Sequence, residues 1–270
     1  MRVQTFELIG TTPRPVGAAA TLDEASAGLP AGAYTTLRTY GGSRILRLGQ
    51  HLRRLEESLA LQGRPASLDP GAMRAGLAAA LAAARHPESR LRLTFVPPRV
   101  FVSVEPFEPL PESAYRDGVA CVTVPLHRDQ PHAKDTRFIA TARGAYGRLP
   151  AGVHEGLLVA DDGSLLEGLS SNFFAVRRAV LQTEEHRVLL GVTRALVLEV
   201  AERVLPVERV AVRREQLPEV SEAFITSVSR EVLPVVRIDG QAVGDGPPGP
   251  RTRAIMAAFA ELARREAESL

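Results

Sequence analysis

Gln130-Pro-His-Ala-Lys134-Asp-Thr-Arg-Phe138 carries the one lysine of this chain; the other 32 of its 33 basic Lys and Arg side chains are arginine. A position that stays lysine where arginine is the rule is either a surface remnant or a site where guanidinium will not serve. Arginine keeps its charge at any accessible pH. An ε-amine can be desolvated or crowded by charge until it is neutral and nucleophilic, able to form an imine with a carbonyl. Composition does not choose between the two, so the neighbourhood must. Upstream, residues 118–126 read as a buried strand, and downstream, residues 135–148 alternate small and apolar side chains in the manner of a helix. Lys134 therefore lies at a strand-loop-helix junction.

Working outward towards the C-terminus, residues 155–160, the turn Asp161-Asp-Gly-Ser164, residues 165–167 and residues 172–177 predict a meander of short strands. Residues 193–204 predict an amphipathic helix with Leu196, Val200 and Val204 on one side and Gly191 just ahead of its start. Strands over 208–212, 222–228 and 233–238 and a closing helix over about 250–267 complete this part. Towards the N-terminus, residues 34–40 and 44–48 flank Gly41-Gly42-Ser43 as a hairpin. A helix over 50–62 follows, with the stripe Leu52, Leu55, Leu59. Asp69-Pro70 then supplies an N-cap and a first-turn proline for an alanine-rich helix reaching about residue 85. Strands 90–96 and 100–105 meet across Pro97-Pro98. Proline and polar residues concentrate over 106–117, which places an interdomain linker at 107–117, between a small N-terminal α/β domain (1–106) and a larger C-terminal domain (118–270) that carries Lys134.

The bulk composition bounds the function. A 45% hydrophobic content over 270 residues is enough for real cores. The net charge of +2 is spread along the chain with no basic run, so a nucleic-acid partner is not indicated. A lone cysteine, Cys121, sits in an apolar run as a small hydrophobe and forbids an internal disulfide, which fits a reducing cytoplasm. No stretch is apolar enough to span a bilayer, and the first residues lack the layout of a signal peptide, so neither membrane insertion nor secretion is expected.

Several positions could carry chemistry. Leu190-Gly-Val192-Thr193-Arg194 offers backbone amides at a helix start, a glycine that lets an anion approach, and a hydroxyl. The same pattern serves as a plain cap, with Thr193 in that role. Arg54 could give a fixed guanidinium to a phosphate, although its helical angle sets it away from the leucine stripe, as for a solvated side chain. Glu167 follows Leu165 and Leu166, either exposed or partnering a buried cation. Arg38, Arg92 and Arg99 are candidate clamps for a substrate carboxylate. The six histidines, His127 and His132 among them, assemble no metal-ligand set, and no metal is expected.

Taken in order, these blocks resemble the class IV aminotransferases, the pyridoxal-phosphate enzymes of fold type IV that include branched-chain and D-amino acid aminotransferases and aminodeoxychorismate lyase. The hairpin Tyr34 to Gly42 followed by His51-Leu-Arg-Arg54-Leu-Glu-Glu-Ser58 is similar to the family's N-terminal hairpin and H-x-x-R-L-x-x-S helix, whose arginine binds the cofactor phosphate. Lys134 stands where the family has its cofactor-bearing lysine, and Glu167-Gly-Leu-Ser-Ser-Asn172-Phe-Phe is similar to the stretch whose glutamate pairs with the pyridine nitrogen. Leu190 to Arg194 resembles the phosphate cup, and Phe224 to Val235 followed by Ile238-Asp-Gly240 the late strand and turn. The resemblance implies a two-domain α+β fold and pyridoxal 5′-phosphate as cofactor. It implies a catalytic Lys134 and a cofactor held by Arg54, Glu167, Val192, Thr193, Ser227 and Ser229; Val228 stands where many members have a threonine, which leaves Ser227, Ser229 or a backbone amide to do that work. Tyr34, Arg38, Arg92 and Arg137, the last replacing a common asparagine, are the substrate-side candidates. It also implies a homodimer acting on a small amino acid and a 2-oxo acid, with a branched-chain L-amino acid or glutamate as donor. The short Val96-Pro-Pro-Arg99 connection sets the chain apart from D-amino acid enzymes. Aminodeoxychorismate lyase, releasing pyruvate and 4-aminobenzoate, is the alternative activity. A degenerate binding protein on the same fold is the second, though neither the lysine nor the glutamate position is broken.

Overall fold

The computed structural model describes residues 3–270. The chain forms two compact units. The first takes the chain up to Glu108 with Ala133–Thr141 and Ala263–Leu270, and the second takes Pro109–His132 and Ala142–Leu262.

In the first unit the described residues form an antiparallel seven-stranded sheet. Its order is Ala267–Ser269, Arg44–Leu46, Ala33–Tyr40, Ser89–Val96, Arg99–Pro106, Val3–Ile9, Thr12–Ala19. Two helices, Leu48–Leu61 and Pro70–Ala84, share its core: Leu52, Leu55 and Leu59 from one and Leu77, Ala80 and Leu81 from the other pack with Leu37, Leu91, Leu93 and Val102. Each fully buried leucine contributes about 1.5–3 kcal/mol. The cap works as the sequence predicts, with Asp69 Oδ1 accepting from the Ala72 N–H at 2.9 Å and Pro70 in the first turn. The hairpin pairs Thr39 with Ile45 and Tyr40 with Arg44. The closing helix stops at Glu266 rather than 267, because Ala267–Ser269 pairs with Arg44–Leu46 as an edge strand.

The expected domains differ from these units at the Lys134 segment and at Ala263–Leu270, both of which the sequence assigns to the C-terminal part. Residues 133–141 fold with the first unit instead. The Tyr34 N–H donates to the Lys134 carbonyl at 2.9 Å, the Thr136 N–H to the Gly32 carbonyl at 3.0 Å, and the Gly32 N–H to Thr136 Oγ1 at 3.0 Å. Pairing of backbone groups far apart in sequence decides the segment's place, since buried amides must find partners wherever the chain supplies them.

The second unit is built on a nine-stranded mixed sheet among the described residues. Its main path runs Val207–Glu208, Val180–Gln182, Asn172–Arg177, Val220–Ser227, Glu231–Ile238, Val119–Val124, Val153–Val159, Leu165–Gly168, with Gln241–Ala242 alongside Glu231–Ile238. The strand Leu165–Gly168 also pairs with Asn172–Arg177 through Glu167 and Asn172, so the path closes on itself at those two residues. Cys121 lies in the core with Leu157, Phe173, Ile225 and Leu233, where burial pushes its thiol far above the ordinary range. The strand expected over 208–212 is reduced to Val207–Glu208. The rest of that run serves another partner: the Leu165 N–H donates to the Val212 carbonyl at 2.8 Å and Arg213 bridges Ser164. Among the described residues no helix is long and apolar enough to cross a membrane.

Candidate functional site

In the first unit the site is written on one face of the helix Leu48–Leu61. His51, Arg54 and Ser58 lie three and four positions apart, so they share that face, and all three are buried. Arg54 is therefore not the solvated arginine that its angle from the leucine stripe suggests. The helix buries a wider arc than the stripe, and the Arg54 Nη2 donates to Thr35 Oγ1 at 2.7 Å. Thr35 Oγ1 in turn lies 2.8 Å from His51 Nδ1, joining the two buried side chains through one hydroxyl. Burial, and after it the charges of Arg54 and Lys134, hold His51 well below the usual histidine range. Ser58 Oγ accepts from the Lys134 N–H at 3.0 Å and itself donates to the Arg54 carbonyl at 2.6 Å, so the helix fixes the lysine segment directly. Lys134 Nζ lies 4.7 Å from the centre of the buried Tyr34 ring, which accepts a cation on its face.

The second unit buries a carboxylate of its own. Glu167 is 2% exposed; its Oε2 accepts from the Leu189 N–H at 3.1 Å and from Asn172 Nδ2 at 3.4 Å. Asn172 also donates to the Leu189 carbonyl at 2.7 Å, which locks the glutamate to the loop before the helix Val192–Ala201. That loop needs Gly191, because a Cβ there would sit 2.3 Å from Asn172 Oδ1. The other carboxylate oxygen faces Arg128 Nε at 2.8 Å, with the arginine side chain only 6% exposed. Thr193 does not cap the helix. Gly191 is the N-cap with extended angles, no side chain caps the first amides, and Thr193 is buried inside the first turn. Uncapped amides beside a buried hydroxyl are what an anion requires. Ser227 and Ser229 are half-buried, Ser227 Oγ taking the Arg230 N–H at 3.3 Å, and neighbouring Thr226 has a buried hydroxyl without a partner. The donor set on this unit fits a phosphate and a protonated ring nitrogen.

The arginines proposed for a substrate are engaged within the chain. Arg92 donates to Asp23, Ser26 and the Leu22 carbonyl at 2.8–3.0 Å. Arg38 stacks between Tyr40 and Phe107 at 4.2 and 4.7 Å, Arg99 pairs with Glu7 at 2.6 Å, and Arg137 is 71% exposed and bonded to Asp135. Four residues escaped the sequence reading. Asn172 stood inside a recognised block without a role. Arg128 had no signal among so many arginines. Glu155 and Arg230, which pair at 2.6 Å, lie on segments that pattern treats as strand and turn.

The sequence matches the family model Amino-transferase class IV over residues 32–238. It is 29% identical to a D-alanine aminotransferase of Bacillus licheniformis, over 84% of this chain and 86% of that one. The structure is similar to a putative branched-chain amino acid aminotransferase of Thermotoga maritima, with a TM-score of 0.80, 25% identity, and 97% and 96% of the two chains covered. It is also similar to a branched-chain aminotransferase of the thermophilic archaeon Thermoproteus uzoniensis with norvaline, with a TM-score of 0.78, 23% identity, and 98% and 96% covered. With the match spanning both the helix of Arg54 and the loop of Glu167, this two-domain α+β chain belongs to the class IV amino-transferase family.

Proposed function

We propose that this protein is a pyridoxal 5′-phosphate-dependent aminotransferase that moves the amino group of an amino acid to a 2-oxo acid. The observation that carries the reading is the setting of the single lysine. Its segment is pinned by Ser58 to the helix that also presents the buried Arg54 and His51, and its Nζ lies over Tyr34. Bound there, the cofactor supplies a carbonyl that an amine can attack and a ring that draws electrons from the substrate α-carbon. Lys134 would hold the cofactor through its ε-amine and, as a free base, would serve as the proton carrier at the substrate α-carbon. Glu167 keeps the pyridine nitrogen protonated, with Asn172, the Leu189 amide and Arg128 fixing its carboxylate. The phosphate-binding groups would be Arg54 on the first unit and, on the second, the amides of Val192 and Thr193 and the hydroxyls of Thr193, Ser227 and Ser229. Several fixed phosphate contacts would orient the cofactor for the reaction.

Branched-chain L-amino acids or glutamate are the donors we favour, in line with the branched-chain names of similar structures, and we propose a homodimer as the working form. The D-alanine relative makes D-alanine the competing donor. Borohydride reduction followed by peptide mass mapping should find a pyridoxyl group on the peptide containing Lys134, and its absence there ends the reading. Leucine, isoleucine, valine or glutamate without acceptor should convert bound cofactor to pyridoxamine 5′-phosphate stoichiometrically. Faster conversion by D-alanine moves the substrate class. If every amino acid fails while aminodeoxychorismate yields pyruvate and 4-aminobenzoate, the lyase replaces the transferase.

A further inference from the structure

Behind the Glu167 loop the second unit buries a polar cluster for which the reaction has no use. Glu155 is fully buried on the strand Val153–Val159, and its Oε2 takes Arg230 Nη1 at 2.6 Å and Ser171 Oγ at 2.9 Å. Arg230 Nη2 donates onward to Ser170 Oγ at 2.8 Å and to the Tyr146 hydroxyl at 3.2 Å, and those two hydroxyls meet at 2.5 Å. Burial, against the pull of Arg230, pushes the Tyr146 phenol above its ordinary range, so it stays protonated. Burying an ion pair of this kind adds little net stability, which invites another reason for it.

The chain positions supply one. Arg230 closes the turn after Ser227 and Ser229, while Ser170 and Ser171 form the turn between Glu167 and Asn172. We propose that Arg230 is a positioning residue that, through Glu155, Ser170 and Ser171, ties the turn carrying Ser227 and Ser229 to the turn flanked by Glu167 and Asn172. The tie fixes the separation between the phosphate end and the ring-nitrogen end of the cofactor site. This rests on the proposed cofactor-binding roles of those residues. A fork with one arm on a carboxylate and the other on two hydroxyls constrains angle as well as distance, which a lysine could not do. Gly168 belongs to the same device, because Glu155 and Ser171 pack where its Cβ would be.

A ligand that touches both ends should feel the tie, and one that touches only the phosphate end should not. The test uses full-length protein freed of cofactor, titrated with pyridoxamine 5′-phosphate, which needs no bond to Lys134, and separately with inorganic phosphate. In the double variant Arg230→Met/Glu155→Gln, which leaves no buried charge unpaired, affinity for pyridoxamine 5′-phosphate should fall about tenfold or more while that for phosphate stays within about twofold. Ser171→Ala should show the same selective loss at about threefold, and it decides the matter if the double variant does not fold. Equal loss for both probes, or no loss for either, overturns the proposal. Failure of the unaltered protein to bind pyridoxamine 5′-phosphate would instead sink the functional reading itself.

Discussion

Arg54 and Arg128 show where single residues could be read and where they could not. Helical angle alone put Arg54 in solvent, and the H-x-x-R-L-x-x-S resemblance put it at a phosphate; its burial beside Thr35 overturns the first. Arg128 gave no signal, because an arginine in a chain with 32 of them is visible only through the carboxylate it meets in space. Two predictions belong to this scale. Glu167→Gln should still bind cofactor but lose turnover by roughly 10²–10³-fold, the usual cost of deleting one aimed electrostatic partner. A rate equal to the parent's would remove Glu167 from the ring nitrogen. His51 gives a pH dependence: its folded value lies below the ordinary one, so on acidification the unfolded chain protonates first. The associated stability is present above about pH 6.5 and is lost below it, by up to about 1.4 kcal/mol per pH unit. Urea midpoints between pH 7 and 5 should therefore fall less steeply for His51→Asn, and equal slopes would contradict the buried neutral ring.

Among elements, those with their own punctuation were legible. Asp69-Pro70 marked a helix start, Gly41-Gly42-Ser43 a hairpin, and Pro97-Pro98 a strand junction, and each is where the local code places it. The pieces that escaped depend on distant partners: the edge strand Ala267–Ser269 exists only because Arg44–Leu46 pairs with it, and Val212 and Arg213 meet Leu165 and Ser164 instead of extending a strand. The turn between Leu165–Gly168 and Asn172–Arg177 combines both kinds of information. Its motif is readable, but the reason for its glycine is not. A Cβ on Gly168 would lie 2.1 Å from Ser171 Oγ and 2.9 Å from Glu155 Cγ. Gly168→Ala should accordingly destabilise the protein by about 1–3 kcal/mol, as overpacking in a closed site does. Differential scanning calorimetry measures this directly, and an unchanged Tm would mean that the Glu155 cluster yields easily.

At the scale of the whole molecule, the near absence of lysine turns composition into an experimental handle. The ion pairs of Glu155, Glu184 and Glu219 are made by arginine, whose guanidinium does not react with acylating reagents under mild conditions. The only ε-amine is Lys134, so amine chemistry on the folded chain reports on one side chain and the α-amino group alone. If Lys134 is engaged by cofactor, treating the loaded protein with an acetylating reagent should leave its peptide unmodified. Protein freed of cofactor by dialysis against a carbonyl scavenger should gain one acetyl group there, and adding pyridoxal 5′-phosphate back before labelling should restore protection. Intact and peptide mass spectrometry give both stoichiometry and site without any assay of turnover, so the test does not depend on which amino acid is the donor. Equal acetylation of Lys134 with and without cofactor would show that the ε-amine is not where the cofactor is held, whatever else the protein binds.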